Sequence, residues 1–146
     1  MSTVEVDDLS IANDCRLFRR VPMLAGGLHA LIVWDDNLKS WQPSSLAFGA
    51  HPDNPRAFSV HLESVLIERG LDVESVILDR SKFALAAFTA GQARQENQVL
   101  ERAPEPDQPA HAHVVGEKTT KVRKRLKRCA VWVIPPEIPP PTPAAV

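Results

Sequence analysis

Ala57-Phe58-Ser59-Val60-His61-Leu62-Glu63-Ser64-Val65-Leu66-Ile67-Glu68-Arg69-Gly70 carries both periods of a mixed fold in fourteen residues. Phe58, Val60 and Leu62 alternate with Ser59 and His61, which puts the three apolar side chains on one face of a strand. Glu63–Arg69 then reads as a helix. Gly70 closes it, because a residue without Cβ enters the left-handed region freely. A strand running directly into a helix sets the class as α+β, and the flanking sequence extends the same pattern.

Upstream, Cys15–Val21 reads as a short strand ended by Pro22. Leu28–Trp34, after Gly26-Gly27, is apolar and partly β-branched and reads as a buried strand. Asp35-Asp36-Asn37 supplies turn chemistry after it, and Ser44 or Ser45 is placed to cap a short helical turn before Phe48. Downstream, the pattern predicts a strand over Phe83–Phe88, a helix over Gln92–Gln98, a strand over Val99–Glu101, an extended Ala103–Pro109 connector and a strand over His111–Val115. The expected architecture is a small single-domain α+β fold over 14–134. Its sheet is mixed or antiparallel, its helices are short, and one basic amphipathic helix lies near the C-terminus. Residues 1–13 are expected to form a flexible acidic leader and 135–146 a proline-rich disordered tail.

Charge is the second informative feature. Seven of the eleven residues from Lys118 to Arg128 are Lys or Arg, leaving ten basic against all eighteen acidic residues elsewhere, a net charge of about −8 there. Thr119 or Thr120 is placed to cap a helix through this run. Val122, Leu126, Cys129 and Val133 fall on one helical face, so Lys121, Lys124, Arg125, Lys127 and Arg128 project outward and, with Lys118 and Arg123, make up the expected binding set. Such a face suits an acidic protein surface, or the phosphates of a nucleic acid, whose binding would weaken steeply with salt.

Other constellations are thinner. His111 and His113 are two apart and so share one side of a strand; a metal site would need a third ligand from His51, His61, Asp53 or Cys129. Val114–Thr120 resembles the end of a phosphate-cradling loop without its first glycine, which excludes a true P-loop. Ser44 or Ser45, His61 and Asp53 make a triad only on paper, since no nucleophile elbow surrounds either serine. Arg19 and Arg20 are suited to clamping a carboxylate or phosphate, or to pairing with Asp35 and Asp36. Trp34, Trp41 and Trp132 read as packing anchors. Cys129 sits beside cations that lower a thiol pKa, while its place on the apolar stripe argues for burial. With Cys15 it forms no CxxC pair, so reduced thiols, a cytoplasmic location, and no cofactor or metal are expected. No apolar run is long enough to span a bilayer.

Phe18-Arg19-Arg20-Val21-Pro22, Trp41–Phe48, Phe58-Ser59-Val60, Phe88–Arg94, Pro109–Gly116 with Lys118-Thr119, and Trp132-Val133 together resemble a group of short, uncharacterised bacterial proteins. The resemblance covers most of residues 15–136 and implies a bacterial origin, with no fold or activity attached. An Arg on an early strand followed by a Ser-Ser element also resembles ADP-ribosyltransferase-like domains, although no ExE or QxE motif follows. That second resemblance implies an enzyme with a pocket around Arg19, Arg20, Ser44, Ser45, His111 and His113. The first expectation is a small non-enzymatic accessory protein that contacts an acidic protein partner through residues 118–128. Nucleic-acid or other phosphate-anion binding by the same helix is the alternative, and the ADP-ribosyltransferase-like enzyme comes third.

Overall fold

The computed structural model describes residues 5–24, 30–51 and 53–141. Within them the chain forms β1 (Arg16–Pro22), β2 (Ile32–Asp35), β3 (Ser40–Pro43), a 3-10 turn (Ser45–Phe48), β4 (Ala57–Leu62), α1 (Glu63–Arg69), α2 (Glu74–Ile77), β5 (Phe83–Thr89), α3 (Ala90–Gln95), β6 (Val99–Arg102), β7 (His111–Val115), α4 (Thr120–Cys129) and β8 (Val131–Ile134). Six strands build one sheet in the order β6-β7-β4-β1-β5-β8, and β2 and β3 pair as a separate hairpin. Every pairing is antiparallel. The fold is α+β, and its sheet is antiparallel rather than mixed.

β1 lies at the centre, paired with β5 from Arg16↔Thr89 to Pro22↔Phe83 and with β4 through Leu17↔Leu62 and Phe18↔His61. Register therefore assigns the two sheet faces. Leu17, Arg19 and Val21 share the first face with Phe58, Val60, Leu62, Ala84, Ala86 and Phe88, joined by Ala112 and Val114 of β7. Phe48 of the 3-10 turn inserts its ring there, edge-on to Phe58 and Phe88 with centroids 6.3 and 5.8 Å away, a geometry that favours ring quadrupoles. α4 packs on that turn and on α3, burying Leu126 completely. The second face carries Phe18, Leu85 and Ala87, all buried, and toward β4 and β7 a polar set described below.

Local rules explain the element ends. Gly70 is left-handed at φ 65° and closes α1 as expected. Thr89 caps α3 in a capping box with Gln92. Ser44 caps the 3-10 turn, and Thr119 caps α4 through Val122 N–H at 3.2 Å.

Several boundaries differ from the sequence expectation. Helix α3 begins two residues earlier than Gln92 because its cap is Thr89. In the expected strand Leu28–Trp34, Leu28 and His29 lie outside the described residues, and pairing starts only at Ile32. Helix α4 stops at Cys129, where Ala130 turns extended. Val133 thus belongs to β8, beside β5, and not to the helical face.

Both expected terminal segments make contacts with the domain across their described parts. Ile11 is buried, Asp7 and Asp8 pair with Arg94 and Arg102, and Glu5 pairs with Arg56. Ile138 packs against the core, and Trp41 Nε1 donates to the Pro139 carbonyl at 3.1 Å. The sequence conceals this docking because each contact is with a residue far along the chain.

A polar knot locks the β7–α4 junction. Gly116 sits at φ 152°, and a Cβ there would lie 2.7 Å from Gln98 Oε1. That same oxygen accepts from Lys118 Nζ at 2.6 Å. Gly116→Ala is expected to lower stability by about 2 kcal/mol or more, through backbone strain and displacement of Gln98. Urea unfolding measures this, and Gly70→Ala, whose Cβ would meet nothing within 4 Å, should cost only the left-handed penalty of about 1 kcal/mol.

Candidate functional site

Consecutive residues of a strand face opposite ways, so Arg19 and Arg20 part company. Arg19 points into the first face. Its Nε donates to the Ala47 carbonyl at 3.1 Å and its Nη1 to the Ser59 carbonyl at 3.0 Å, and its guanidinium lies 5.0 Å from the Phe58 ring centre. Burial, reinforced by the neighbouring charge of Arg20, pulls its pKa down to about 10, so it remains a cation at neutral pH. Its role is structural.

Arg20 points to the second face. Its guanidinium lies 5.2 Å from the Phe83 ring centre, and among the described residues no carboxylate pairs with it. Asp35 and Asp36, its possible sequence partners, are engaged in their own hairpin. Asp35 accepts from the Asn37 and Leu38 amides, and Asp36 accepts from Trp34 Nε1.

Beside Arg20 the register gathers a polar set. β1–β4 pairing sets Phe18 against His61, and strand alternation places Arg20 and Ser59 on that same face. β4–β7 pairing sets Ser59 against His113 and His61 against His111. The rings of His61 and His111 are 5.6 Å apart, and those of His111 and His113 are 5.1 Å apart. Arg20, Ser59, His111 and His113 are half-buried and so reach solvent.

His61 is 2% exposed, and its Nδ1 is buried with no hydrogen-bond partner. Burial first, then the charge of Arg20, pushes its pKa down to about 4, so the imidazole is neutral at pH 7. His113 is also lowered, again mainly by burial. His111 Nδ1 lies 2.9 Å from the Ala103 carbonyl. Glu105 Oε1 lies 3.3 Å from the same nitrogen; carbonyl and carboxylate oxygens only accept, so Nδ1 carries a proton. This face therefore carries a cation, a hydroxyl and three imidazoles, with the Glu105 carboxylate against His111. Among the described residues no group of three or more His, Cys, Asp or Glu side chains is arranged to hold a metal ion.

The other pocket residues expected from sequence lie elsewhere. Ser44 donates its hydroxyl to the Ala30 carbonyl at 2.8 Å and is buried. With Ser45 it borders a groove against α4, on the opposite side of the sheet from His111. Arg20, His111 and His113 thus share one sheet face, while Arg19, Ser44 and Ser45 do not join them. Ser59 supplies the hydroxyl instead, and His61 completes the set. His51 and Asp53 pair loosely in an exposed loop, so the paper triad does not assemble.

The basic run is also divided. Lys118 Nζ contacts Gln98 Oε1 and the Arg56, Val114 and Gly116 carbonyls, and burial lowers its pKa to about 8. It is spent on the fold and does not belong to an outward face. Arg125 pairs with Glu96. Arg123 donates to Thr120 Oγ1, and its buried Nε has no hydrogen-bond partner among the described residues. Lys121, Lys124 and Arg128 remain exposed, and Lys127 is half-buried. Burial pushes the Cys129 thiol up, with Glu96 adding to the rise and Arg128 only partly opposing it.

No family model, curated protein or solved structure matches the chain. Among the described residues no helix is long and apolar enough to cross a membrane.

The depressed His61 pKa has a signed consequence. The folded chain binds fewer protons than the unfolded chain between the folded value of about 4 and the ordinary value near 6.5. The stabilisation is complete above about pH 6.5 and is lost as pH falls toward 4, by on the order of 2–3 kcal/mol. Urea unfolding at stepped pH should show this decline, and His61→Phe should flatten it. An unchanged slope in the variant would assign the decline to other groups.

Proposed function

We propose that the second sheet face binds a small anionic ligand bearing a phosphate or carboxylate, with Arg20 as its anchor. The observation that carries this reading is a half-buried guanidinium that has an aromatic neighbour and no carboxylate partner. Structural arginines in this protein are used up: Arg16, Arg56, Arg80, Arg94 and Arg102 all hold carboxylates, and Arg19 holds two carbonyls. Among the described residues Arg20 combines partial burial and an aromatic neighbour with a donor fork that meets no acceptor, which suits an oxyanion, whereas half-buried Arg123 spends one donor on Thr120 Oγ1. Ser59 and His113, half-buried on the same face, can donate hydrogen bonds to a ligand there.

A second reading adds catalysis, and the neutral imidazoles beside Arg20 favour it. An uncharged ring next to an anion-binding cation can take up a proton. The resemblance to ADP-ribosyltransferase-like domains lends this reading no support, because the Ser44-Ser45 element that carried it lies on the other side of the sheet.

The test is thermal unfolding and calorimetric titration with pyrophosphate and with ADP-ribose. Wild type should be stabilised by one or both. Arg20→Ala should weaken binding at least tenfold, about 1.4 kcal/mol, and Ser59→Ala by a smaller factor. Lys124→Glu, on the other side of the molecule, should change nothing. If neither ligand binds, or binding survives Arg20→Ala in a folded protein, the assignment is wrong. Turnover of nicotinamide adenine dinucleotide that is lost in both Arg20→Ala and His111→Ala would support the catalytic reading; its absence, with ADP-ribose still bound, would leave binding alone.

A further inference from the structure

Opposite this patch, the C-terminal half of α4 and the β2–β3 hairpin enclose an open groove of about 640 Å³. One wall is Lys124, Lys127 and Arg128; the other side is Val33, Leu38 and Pro43. Leu38 is 65% exposed. Among the described residues none of the three cations has a carboxylate partner. Asp35 is the acid in the groove, and its Oδ1 is occupied by hairpin amides.

We infer that this groove docks an acidic, partly apolar segment of another protein. Charge complementarity selects the sign of the occupant, because three uncompensated cations stand together on one wall of a chain that is otherwise net negative. The apolar side selects its kind. Phosphate backbones are best met by an unbroken run of cations. Here Lys118 is folded inward and Arg125 is paired, so the run is interrupted, while an apolar strip lies alongside the cations that remain. A peptide alternating carboxylates with Leu or Phe side chains satisfies both walls, giving affinity from the apolar contact and register from the charges.

Fluorescence anisotropy tests this with a labelled twelve-residue peptide of repeated Asp-Glu-Leu-Phe, the same peptide with Lys for each acid, and a labelled single-stranded DNA. The acidic peptide is expected to bind, and to lose at least tenfold in affinity in the Lys124→Glu/Arg128→Glu double variant and several-fold in Leu38→Ser. Both variants alter exposed residues, and circular dichroism checks their folding. The lysine peptide should not bind. Equal binding of both peptides, or acidic-peptide binding that ignores the double variant, overturns the inference. So does absence of peptide binding. DNA binding that is steep in salt, insensitive to Leu38→Ser and stronger than peptide binding would overturn it in favour of a nucleic-acid face. The Arg20 patch lies on the other side of the sheet, and Arg20→Ala should leave peptide binding unchanged, so the two assignments fail separately.

Discussion

An arginine charge with no counter-ion among the described residues ties the two layers together. Arg19 leaves the central strand, enters the first face of the sheet, and divides its donors between a carbonyl of the 3-10 turn and a carbonyl of β4. A buried guanidinium is tolerated only where its hydrogen bonds are met, so Ala47 and Ser59 must hold their places for Arg19 to be accommodated. The Phe58 ring lies near both Arg19 and Lys118, with the cations 5.0 and 5.3 Å from its centre. Two cations that look like surface charge in the sequence are therefore fixtures of one aromatic core. The position of α4 follows, because the 3-10 turn held by Arg19 is the surface on which that helix packs.

This arrangement explains why charge in this chain has to be read residue by residue. Arg19 and Arg20 are adjacent and identical, yet strand alternation gives one a structural role and leaves the other beside imidazoles and a hydroxyl with its fork unoccupied. The basic run divides in the same way. Lys118 faces more carbonyl and amide acceptors than it has protons, whereas Lys124 and Arg128 have none in the described structure. A count of seven cations overstates the charge available to a partner.

What the sequence reveals follows the range of the forces involved. The β4–α1–Gly70 unit is legible because alternation, a change of period and a left-handed closing residue are all local. The Ser44 and Thr119 caps are legible for the same reason. The end of α4 is not, because Val133 fits a helical spacing and only pairing with β5 pulls residues 131–134 into a strand. α2 has only four residues and is too short to show a period. At the patch, His111 and His113 can be placed on one side by their spacing alone. His61 joins them only through a cross-strand register fixed fifty residues apart in sequence, and nothing local singles out Ser59 over Ser44.

Ser59 links the structural and the open halves of the fold. Its carbonyl receives Arg19 on the core side, while its side chain belongs to the face of Arg20 and the histidines. A strand clamped from one side by a buried guanidinium cannot rotate or slip without breaking that contact and shifting its register with β7. The hydroxyl of Ser59, the imidazole of His61 and the facing His111 and His113 are thus held on central, doubly paired strands, not on loops. Groups fixed in this way need little ordering when a ligand arrives, which is the condition for a small polar patch to bind with useful affinity. The buried arginine whose charge is consumed by the fold is in this sense what prepares the surroundings of the arginine that is free.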